Sequence, residues 1–239
     1  MTDLLPLELN PGLDTVELGE GFRRDGRVRV RRVFTQGAPE LFHYLEATGD
    51  WIQLVNHETG AHEIAWSEWR VPGARCRSEL EPDMLARAVD GFQYSYAALR
   101  IPAAGEHAEN PVLAALAELM RGEPMQGLLE GITGLVAPTF TDGQVTAYGG
   151  EDFLTGHDDN LTGSGRKVAF VLGLTPRWRP EWGGLLLFHE LGGIDCVGLV
   201  PQFNTLDLFA IPRYHSVSTV TRAAPRRRFS VTGWLSIAA

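Results

Sequence analysis

The stretch GHDDN at residues 156–160 places a histidine and a carboxylate two residues apart, at His157 and Asp159. Side chains two residues apart on an extended segment point to the same side, because a strand alternates its faces with period two. One imidazole and one carboxylate that converge on a point make two thirds of a metal site. The stretch therefore predicts that a third ligand comes from elsewhere in the fold, and that Asp158 points away from the metal.

From Leu135 onward, short apolar or alternating runs are separated by Gly, Pro, Asn and Asp. Many short strands at such spacing are typical of an all-β sandwich or barrel, and eight strands in two sheets are the jelly-roll count. The predicted strands are residues 144–148, 153–159, 167–174, 184–189, 196–201, 206–211, 215–220 and 228–234. We therefore expect a jelly-roll core over residues 135–239.

Residues 1–134 mix helical and strand patterns, and we expect their helices to pack on one sheet of the core within a single α+β domain. Strands are predicted over 27–34, 51–55 and 63–69, and helices over 38–47, from 81 onward, from 111 and from 124. A short helix from Leu13 is expected to stop at Gly19 and Gly21. Phe92 and Tyr96 continue the helical spacing of the helix predicted from 81, and core packing is favoured over a binding face for Phe92, Tyr94 and Tyr96.

Two histidines of the predicted β region offer the third ligand, because His189 ends one strand and His215 opens another. Their spacing alone does not separate them. Two histidines and one carboxylate on one face form the facial triad of non-haem iron(II) oxygenases, although the same ligands also hold zinc. A bare HxD pair also occurs as a hydrogen-bonded strand end without any metal.

The last predicted strand carries an unusual polar face. Arg228, Ser230 and Thr232 share one side of it, and Phe229 and Val231 share the other. A buried arginine needs an anionic partner. A bound carboxylate suits the guanidinium fork, and a protein carboxylate is the alternative. We expect Arg226 and Arg227 to be turn or surface charges.

These segments together resemble the iron(II)/2-oxoglutarate-dependent dioxygenases, and within them the prolyl-4-hydroxylase-like branch. The similar segments are YGGEDFLTGHDDN at 148–160, KVAFVLGL at 167–174, WGGLLLF at 182–188, HSV at 215–217 and RFSVTGW at 228–234. The order HxD, GGxL, HxV and RxS is specific to that branch. The N-terminal helices are similar only in pattern.

The resemblance implies roles for individual residues. Iron(II) would be held by His157, Asp159 and His215, which are also the catalytic residues. Arg228 would bind the distal carboxylate of 2-oxoglutarate with help from Ser230, Tyr148 would lie at the co-substrate pocket, and Arg226 is the alternative anchor. Leu154 replaces a second tyrosine of some relatives. The carboxylate of Asp159 favours hydroxylation over halogenation.

The implied activity is hydroxylation of an unactivated C–H bond with O2 and 2-oxoglutarate as co-substrates, release of succinate and CO2, and stimulation by ascorbate. A prolyl residue of a protein is the first substrate by family analogy. A free amino acid or small metabolite is the alternative, and a jelly-roll metal hydrolase or a non-catalytic binding protein is a further one. The loops 149–153 and 175–182 are expected to rim the pocket.

Composition narrows the partners. The net charge of -9 gives no electrostatic reason to expect nucleic acid or an anionic membrane. No apolar run approaches the length of a membrane span, and Met1–Pro6 has no basic leader pattern, so we expect a cytoplasmic protein. Cys76 and Cys196 lack a CxxC partner and are expected to be free thiols. The sequence does not predict an oligomeric state.

Overall fold

The computed structural model describes residues 6–190 and 194–237. Within them the strands are β1 Glu8–Leu9, β2 Arg27–Arg31, β3 Phe34–Gln36, β4 Ile52–His57, β5 Gly60–Ala65, β6 Tyr94–Arg100, β7 Thr139–Tyr148, β8 Phe153–His157, β9 Arg166–Gly173, β10 Leu186–His189, β11 Cys196–Leu199, β12 Thr205–Ala210, β13 His215–Val217 and β14 Arg228–Ser236. Each of the eight strands predicted after Leu135 corresponds to one of β7 to β14. Residues 1–5, on which the prediction about a leader depends, lie outside the described residues.

Twelve of the described strands form one antiparallel sheet, with the order β11-β10-β13-β8-β6-β7-β14-β9-β12-β2 and with β4 and β5 branching from β6. The sheet curls on itself into a half-barrel, and the predicted α+β jelly-roll fold is confirmed. Strand β6 joins the part of the sheet that contains β8 to the part that contains β7. Its first residues pair with β8, as in Tyr94 opposite Leu154, and its later residues pair with β7, as in Ala98 opposite Thr146.

The described helices are α1 Thr15–Asp25, α2 Ala38–Ala47, α3 Trp66–Trp69, α4 Arg75–Arg87, α5 Pro111–Arg121 and α6 Glu123–Thr133. The predicted helices over 38–47, from 111 and from 124 are α2, α5 and α6. Leu116 of α5 and Ile132 of α6 share one hydrophobic cluster with Phe229 and Val231 of β14. The helices therefore cover the apolar face of the sheet, and Arg228 lies on the opposite, concave face.

Helix α1 continues through Gly19 and Gly21, where the sequence predicted a stop. A Cβ on Gly19 would lie 3.0 Å from the Gly131 carbonyl oxygen of α6. Asp14 caps the helix by accepting hydrogen bonds from the backbone N–H groups of Val16 and Glu17. The helix thus forms despite its glycines because they let α1 pack closely on α6 and the cap begins it.

The prediction was also wrong between residues 75 and 100. Helix α4 begins at Arg75 and contains Pro82 in its interior, whereas the sequence placed a helix start at that proline. Ion pairs at i,i+4 spacing, Arg75 with Glu79 and Arg77 with Glu81, support the turns before the proline. The helix ends at Arg87, and the aromatic segment that follows it is strand β6.

Two further boundaries differ from the sequence prediction. The strand predicted over 27–34 ends at Arg31, because Arg32 adopts a left-handed conformation with φ 54°. The strand predicted over 63–69 is β5 followed by the helical turn α3.

Residues of both predicted parts share the main hydrophobic cluster, in which Leu41 and Leu116 pack with Val145 and Leu172. The division of the chain at residue 134 stays a prediction. Cys76 and Cys196 are free thiols, as predicted. None of the described helices has the length and apolarity needed to cross a membrane.

Candidate metal centre

The side chains of His157, Asp159 and His215 converge on one point. Each offers one ligand atom, and these atoms lie within 4.8 Å of one another. His157 Nε2 is 3.5 Å from Asp159 Oδ1, and His215 Nε2 is 3.4 Å from Asp159 Oδ2. Two imidazole nitrogens and one carboxylate on one side leave the other side open.

The two histidines meet because their strands are paired. His157 ends β8 and is the register partner of His215, the first residue of β13. Asp159 lies beyond the end of β8 and has φ 59°. The carboxylate therefore turns toward the histidines through a left-handed residue, and the extended geometry assumed from the sequence is wrong for it. Asp158 is exposed, and its Oδ1 accepts a hydrogen bond from the Asn160 N–H.

Backbone carbonyls orient both rings. His157 Nδ1 lies 3.1 Å from the Thr155 carbonyl oxygen, and His215 Nδ1 lies 2.9 Å from that of Arg213. A proton on each Nδ1 would donate to these carbonyls and leave the Nε2 lone pairs facing Asp159. The second contact of each ring thus selects the tautomer that binds a metal.

Electrostatics keep His215 and Asp159 in metal-binding protonation states at neutral pH. Burial, and then the adjacent His157, lower the pKa of His215 to about 4. Burial alone would raise the pKa of Asp159, but the hydrogen bond with His157 and the charges of both histidines lower it below its ordinary value. An anionic carboxylate and a neutral imidazole are the forms that bind a cation.

His189, which spacing alone did not separate from His215 but which the family resemblance left out, is not part of this cluster. Its Nε2 lies 3.0 Å from Ser216 Oγ, and its ring packs edge-on against Tyr214. His189 lies on β10 next to β13, so its strand neighbours the site while its side chain contacts other residues.

The triad opens into a cavity of about 410 Å³. Arg228 lines this cavity with only 4% of its surface exposed, and its Nη1 atom is buried without a hydrogen-bond partner. Its guanidinium lies 5.3 Å from the centre of the Tyr148 ring. Burial lowers the pKa of Arg228 below its ordinary value. A buried, incompletely satisfied cation at the base of a cavity calls for an anionic ligand.

Ser230 and Tyr148 lie beside Arg228 in the lining. Ser230 is buried, and its hydroxyl is 2.9 Å from that of Thr146 on β7. Tyr148 is buried, which raises its pKa well above the ordinary value and keeps the phenol neutral. The structure thus brings both residues together with Arg228.

The two arginines that precede Arg228 differ from each other. Arg226 is exposed, and its Nη1 is 3.7 Å from Glu46 Oε1. Arg227 was predicted as a turn or surface charge, but it is partly buried, and its guanidinium lies 4.1 Å from the Trp66 ring centre and 4.8 Å from that of Trp51. Neither is among the described residues that line the cavity.

The sequence prediction missed one wall of the cavity. Phe92, Tyr94 and Tyr96 line it, together with Leu154 and Leu161. The three aromatic side chains share a face because they are spaced by two residues on and before β6, a period-two signal that the helical interpretation overlooked. The loops predicted to rim the pocket, 149–153 and 175–182, contribute none of its described lining residues.

Residues 143–236 match the model of the 2OG-Fe(II) oxygenase superfamily. This segment is a 2OG-Fe(II) oxygenase domain. The triad and Arg228 all lie inside the matched segment of the oxygenase domain. The family description itself names the metal and the co-substrate.

Among curated proteins the chain is 35% identical over 122 residues to prolyl 3-hydroxylase OGFOD1 of Xenopus laevis, a match that covers 47% of this chain and 23% of that protein. The chain therefore spans about a quarter of the length of this relative. The relative is a prolyl hydroxylase, in agreement with the branch that the sequence resembles.

Solved structures share the fold at low identity. A 2OG-Fe(II) oxygenase family oxidoreductase of Burkholderia pseudomallei has a TM-score of 0.63 at 15% identity, covering 96% of this chain and 93% of its own. A prolyl hydroxylase from Trichoplax adhaerens, in complex with a peptide fragment of the hypoxia inducible factor oxygen degradation domain, has a TM-score of 0.58 at 17% identity. It covers 93% of this chain and 88% of its own.

Proposed function

We propose that this protein is an Fe(II)- and 2-oxoglutarate-dependent dioxygenase that hydroxylates a prolyl residue of a protein and releases succinate and CO2. The observation that carries the proposal is that a two-histidine, one-carboxylate cluster and a buried arginine with an unpartnered Nη1 line the same cavity. A metal hydrolase needs the cluster but has no use for the arginine. A dicarboxylate co-substrate would contact both the metal cluster and the arginine.

The residues fit the metal. His157, Asp159 and His215 would hold a ferrous ion, since nitrogen and oxygen ligands on one side suit a metal that must bind further molecules. When bound, this metal would couple decarboxylation of 2-oxoglutarate to oxygen insertion into a C–H bond. The protein's own part is to hold the ligand rings by the Thr155 and Arg213 carbonyls and to exclude water from the cavity.

Arg228 would anchor 2-oxoglutarate by its distal carboxylate, and the hydroxyl of Ser230 would donate a further hydrogen bond. The neutral phenol of Tyr148 would pack beside the same carboxylate. Burial supports Arg228 over Arg226, because a guanidinium removed from water binds a carboxylate more strongly than an exposed one does.

The substrate assignment rests on the similarity to a prolyl 3-hydroxylase over 47% of this chain. We accordingly propose prolyl hydroxylation, with carbon 3 of the ring as the first position to examine. A free amino acid or small metabolite is the second candidate. A cytoplasmic location, the absence of nucleic-acid and membrane partners, and stimulation by ascorbate stay predictions from the sequence.

Metal and co-substrate binding test the proposal without turnover. We expect the purified protein to retain about one iron(II) under nitrogen in equilibrium dialysis, and to bind 2-oxoglutarate in calorimetry only after iron is added. His157→Ala and Asp159→Ala should lose the iron, since each removes one of three ligands. His189→Ala is the matched control, because this histidine is near the site and outside the cluster, and it should retain iron as the wild type does.

Activity is tested by mass spectrometry of the host proteome with and without the gene. We expect proline-containing peptides to lose a one-oxygen mass gain when the protein is absent, and chromatography to identify 3-hydroxyproline. Iron-independent hydrolysis of a test ester, or iron retention without 2-oxoglutarate binding, would instead favour the hydrolase or binding-protein alternatives.

A further inference from the structure

Four aromatic rings form a continuous wall along the cavity. Neighbouring ring centres are 5.6 Å apart between Phe92 and Tyr94, 5.5 Å between Tyr94 and Tyr96, and 5.0 Å between Tyr96 and Tyr148. Exposure falls along this aromatic wall, from 46% at Phe92 to 8% at Tyr96 and 3% at Tyr148. The wall therefore runs from the cavity mouth to the buried end where Arg228 lies.

The outer end of the aromatic wall stands next to the metal cluster. The Phe92 ring centre is 5.2 Å from that of His157. Leu161, which is 59% exposed, also lines the cavity. Apolar residues that are exposed together at the rim of a cavity mark a ligand-binding groove more often than apolar residues scattered singly over the surface do. A group that approaches the metal through the mouth contacts Phe92 first and Tyr94 next.

The charges of the described lining do not suit a free amino acid. Apart from the histidines, the charged lining residues are Asp158, Asp159, Arg166 and Arg228. Arg166 Nη2 is 2.8 Å from Asp142 Oδ2, and its guanidinium lies 3.6 Å from the Trp234 ring centre. With Arg228 assigned to 2-oxoglutarate, the α-carboxylate of a free amino acid would be buried without an uncommitted cation. A residue inside a chain has no such carboxylate.

The concave face also has room for flanking chain. Gln144 and Trp234 line both the cavity and a second groove of about 860 Å³. Leu54 of β4 lines that groove and is the register partner of Tyr96, so the groove continues the face that bears the aromatic wall. An extended polypeptide can cross this face while one of its side chains enters the cavity.

We propose that Phe92 and Tyr94 form the substrate-recognition surface, and that it admits an uncharged ring side chain within a polypeptide in preference to a free amino acid. The proposal rests on the proposed function, because it assumes that Arg228 is occupied by 2-oxoglutarate. Phe92 and Tyr94 would pack against the apolar carbons of the pyrrolidine ring, because their large rings bury apolar surface.

The test uses a pool of acetylated and amidated nonapeptides with a central proline and random flanks, compared with free L-proline. We expect the pool to gain oxygen at the central residue. Free L-proline should react at least about tenfold less efficiently, because its α-carboxylate would lack one charge interaction in the cavity. A matched pool with a central lysine should not react.

Phe92→Ala should raise the apparent KM for the proline pool about tenfold with less than a twofold change in kcat, because an aromatic contact made in both ground and transition states is lost. It should also reduce the amount of pool that immobilised, 2-oxoglutarate-loaded protein retains under nitrogen. Phe92→Tyr should restore both values. Val89→Ala, which removes an exposed apolar side chain outside the cavity lining, should change neither.

The outcomes separate the two proposals. Loss of iron or 2-oxoglutarate binding in the wild type contradicts the proposed function itself. With normal iron and 2-oxoglutarate binding, equal use of free L-proline or an unchanged KM in Phe92→Ala contradicts only the recognition surface. No oxidation of the pool contradicts the recognition surface and also the proposed prolyl hydroxylation.

Discussion

Replacing Arg228 by methionine should strongly weaken 2-oxoglutarate binding while leaving the ligand-free protein about as stable as the wild type or more stable. Arg228 is 4% exposed, burial lowers its pKa, and its Nη1 has no hydrogen-bond partner. The charge therefore lowers the free energy of unfolding in the absence of a ligand. Methionine keeps most of the apolar stem and removes the charge.

The magnitude follows from the contacts that the ligand would make. A hydrogen bond to a charged group contributes about 1.5–3 kcal/mol, and a guanidinium makes two with a carboxylate, so we expect a loss of about 3 kcal/mol or more. That corresponds to a dissociation constant for 2-oxoglutarate raised at least about 100-fold. In the ligand-free protein we expect the free energy of unfolding to stay within about 1 kcal/mol of the wild type or to rise.

Urea unfolding, with and without iron(II) and 2-oxoglutarate under nitrogen, measures both quantities on one sample. The wild type should gain about 2.7 kcal/mol of stability from 2-oxoglutarate at 100 times its dissociation constant, and the Arg228→Met protein should gain almost none at that concentration. Arg226→Met is the matched control, because this arginine is exposed and should leave the gain unchanged. A ligand-free Arg228→Met protein destabilised by more than about 2 kcal/mol that still binds 2-oxoglutarate would show that the arginine pairs with a protein group instead.

Two further predictions concern stability. Gly19→Ala should lower the free energy of unfolding by about 1 kcal/mol or more, because its Cβ would meet the Gly131 carbonyl oxygen at 3.0 Å. Gly21→Ala should raise the free energy of unfolding by about 0.5–1 kcal/mol, because the nearest neighbour of its Cβ would be at 3.8 Å. Equal effects of the two substitutions in urea unfolding would refute the close helix contact. Burial raises the pKa of the Asp152 carboxyl from 3.8 to about 7. Between these two pH values the folded protein therefore binds more protons than the unfolded chain. The stability that this carboxyl provides below pH 3.8 is lost as the pH rises toward 7. The difference in unfolding free energy between wild type and Asp152→Asn should therefore fall across that window by up to about 4 kcal/mol and level off above it, and a flat difference would contradict the raised pKa.

The strands β7 to β14 could be predicted from the sequence because their local patterns agree with their tertiary structure. Strand β14 shows this most clearly. The alternation of Arg228, Phe229, Ser230 and Val231 required one polar and one apolar face, and the structure places Phe229 and Val231 against the helices and Arg228 in the cavity. Where a period-two pattern coincides with a buried face, only one register is compatible with burial.

Two N-terminal errors have different causes. Glycine disfavours a helix in isolation, but at Gly19 the absence of a side chain permits the contact with α6 that stabilises α1. That contact joins residues far apart in the chain and cannot be deduced from spacing. Pro82 suggested a helix start because proline suits the first turn, but the i,i+4 pair of Arg77 and Glu81 is a local signal of the earlier turns that the sequence prediction missed.

The candidate site combines both situations. The sequence made it possible to recognise the HxD motif, the distal histidine and the arginine as a combination. It did not predict the backbone path that brings these side chains together. Asp159 approaches the histidines through a left-handed turn and not along a strand. Spacing alone did not distinguish His215 from His189, although the resemblance to the HxV motif favoured His215. The pairing of β8 with β13, which sets His157 opposite His215, is what separates them.

The aromatic wall shows why the metal and co-substrate site is easier to predict from this sequence than the substrate-binding surface. The triad and Arg228 lie within the segment 143–236 that matches the oxygenase family, whereas Phe92, Tyr94 and Tyr96 lie outside it. Strand β6, which pairs with β8 and β7, brings Tyr94 and Tyr96 into the cavity, and Phe92 lies just before it. Exchanging residues 92–100 between relatives should therefore change which substrate is accepted while iron and 2-oxoglutarate binding persist, because the contacts that hold the metal and its co-substrate come from other strands.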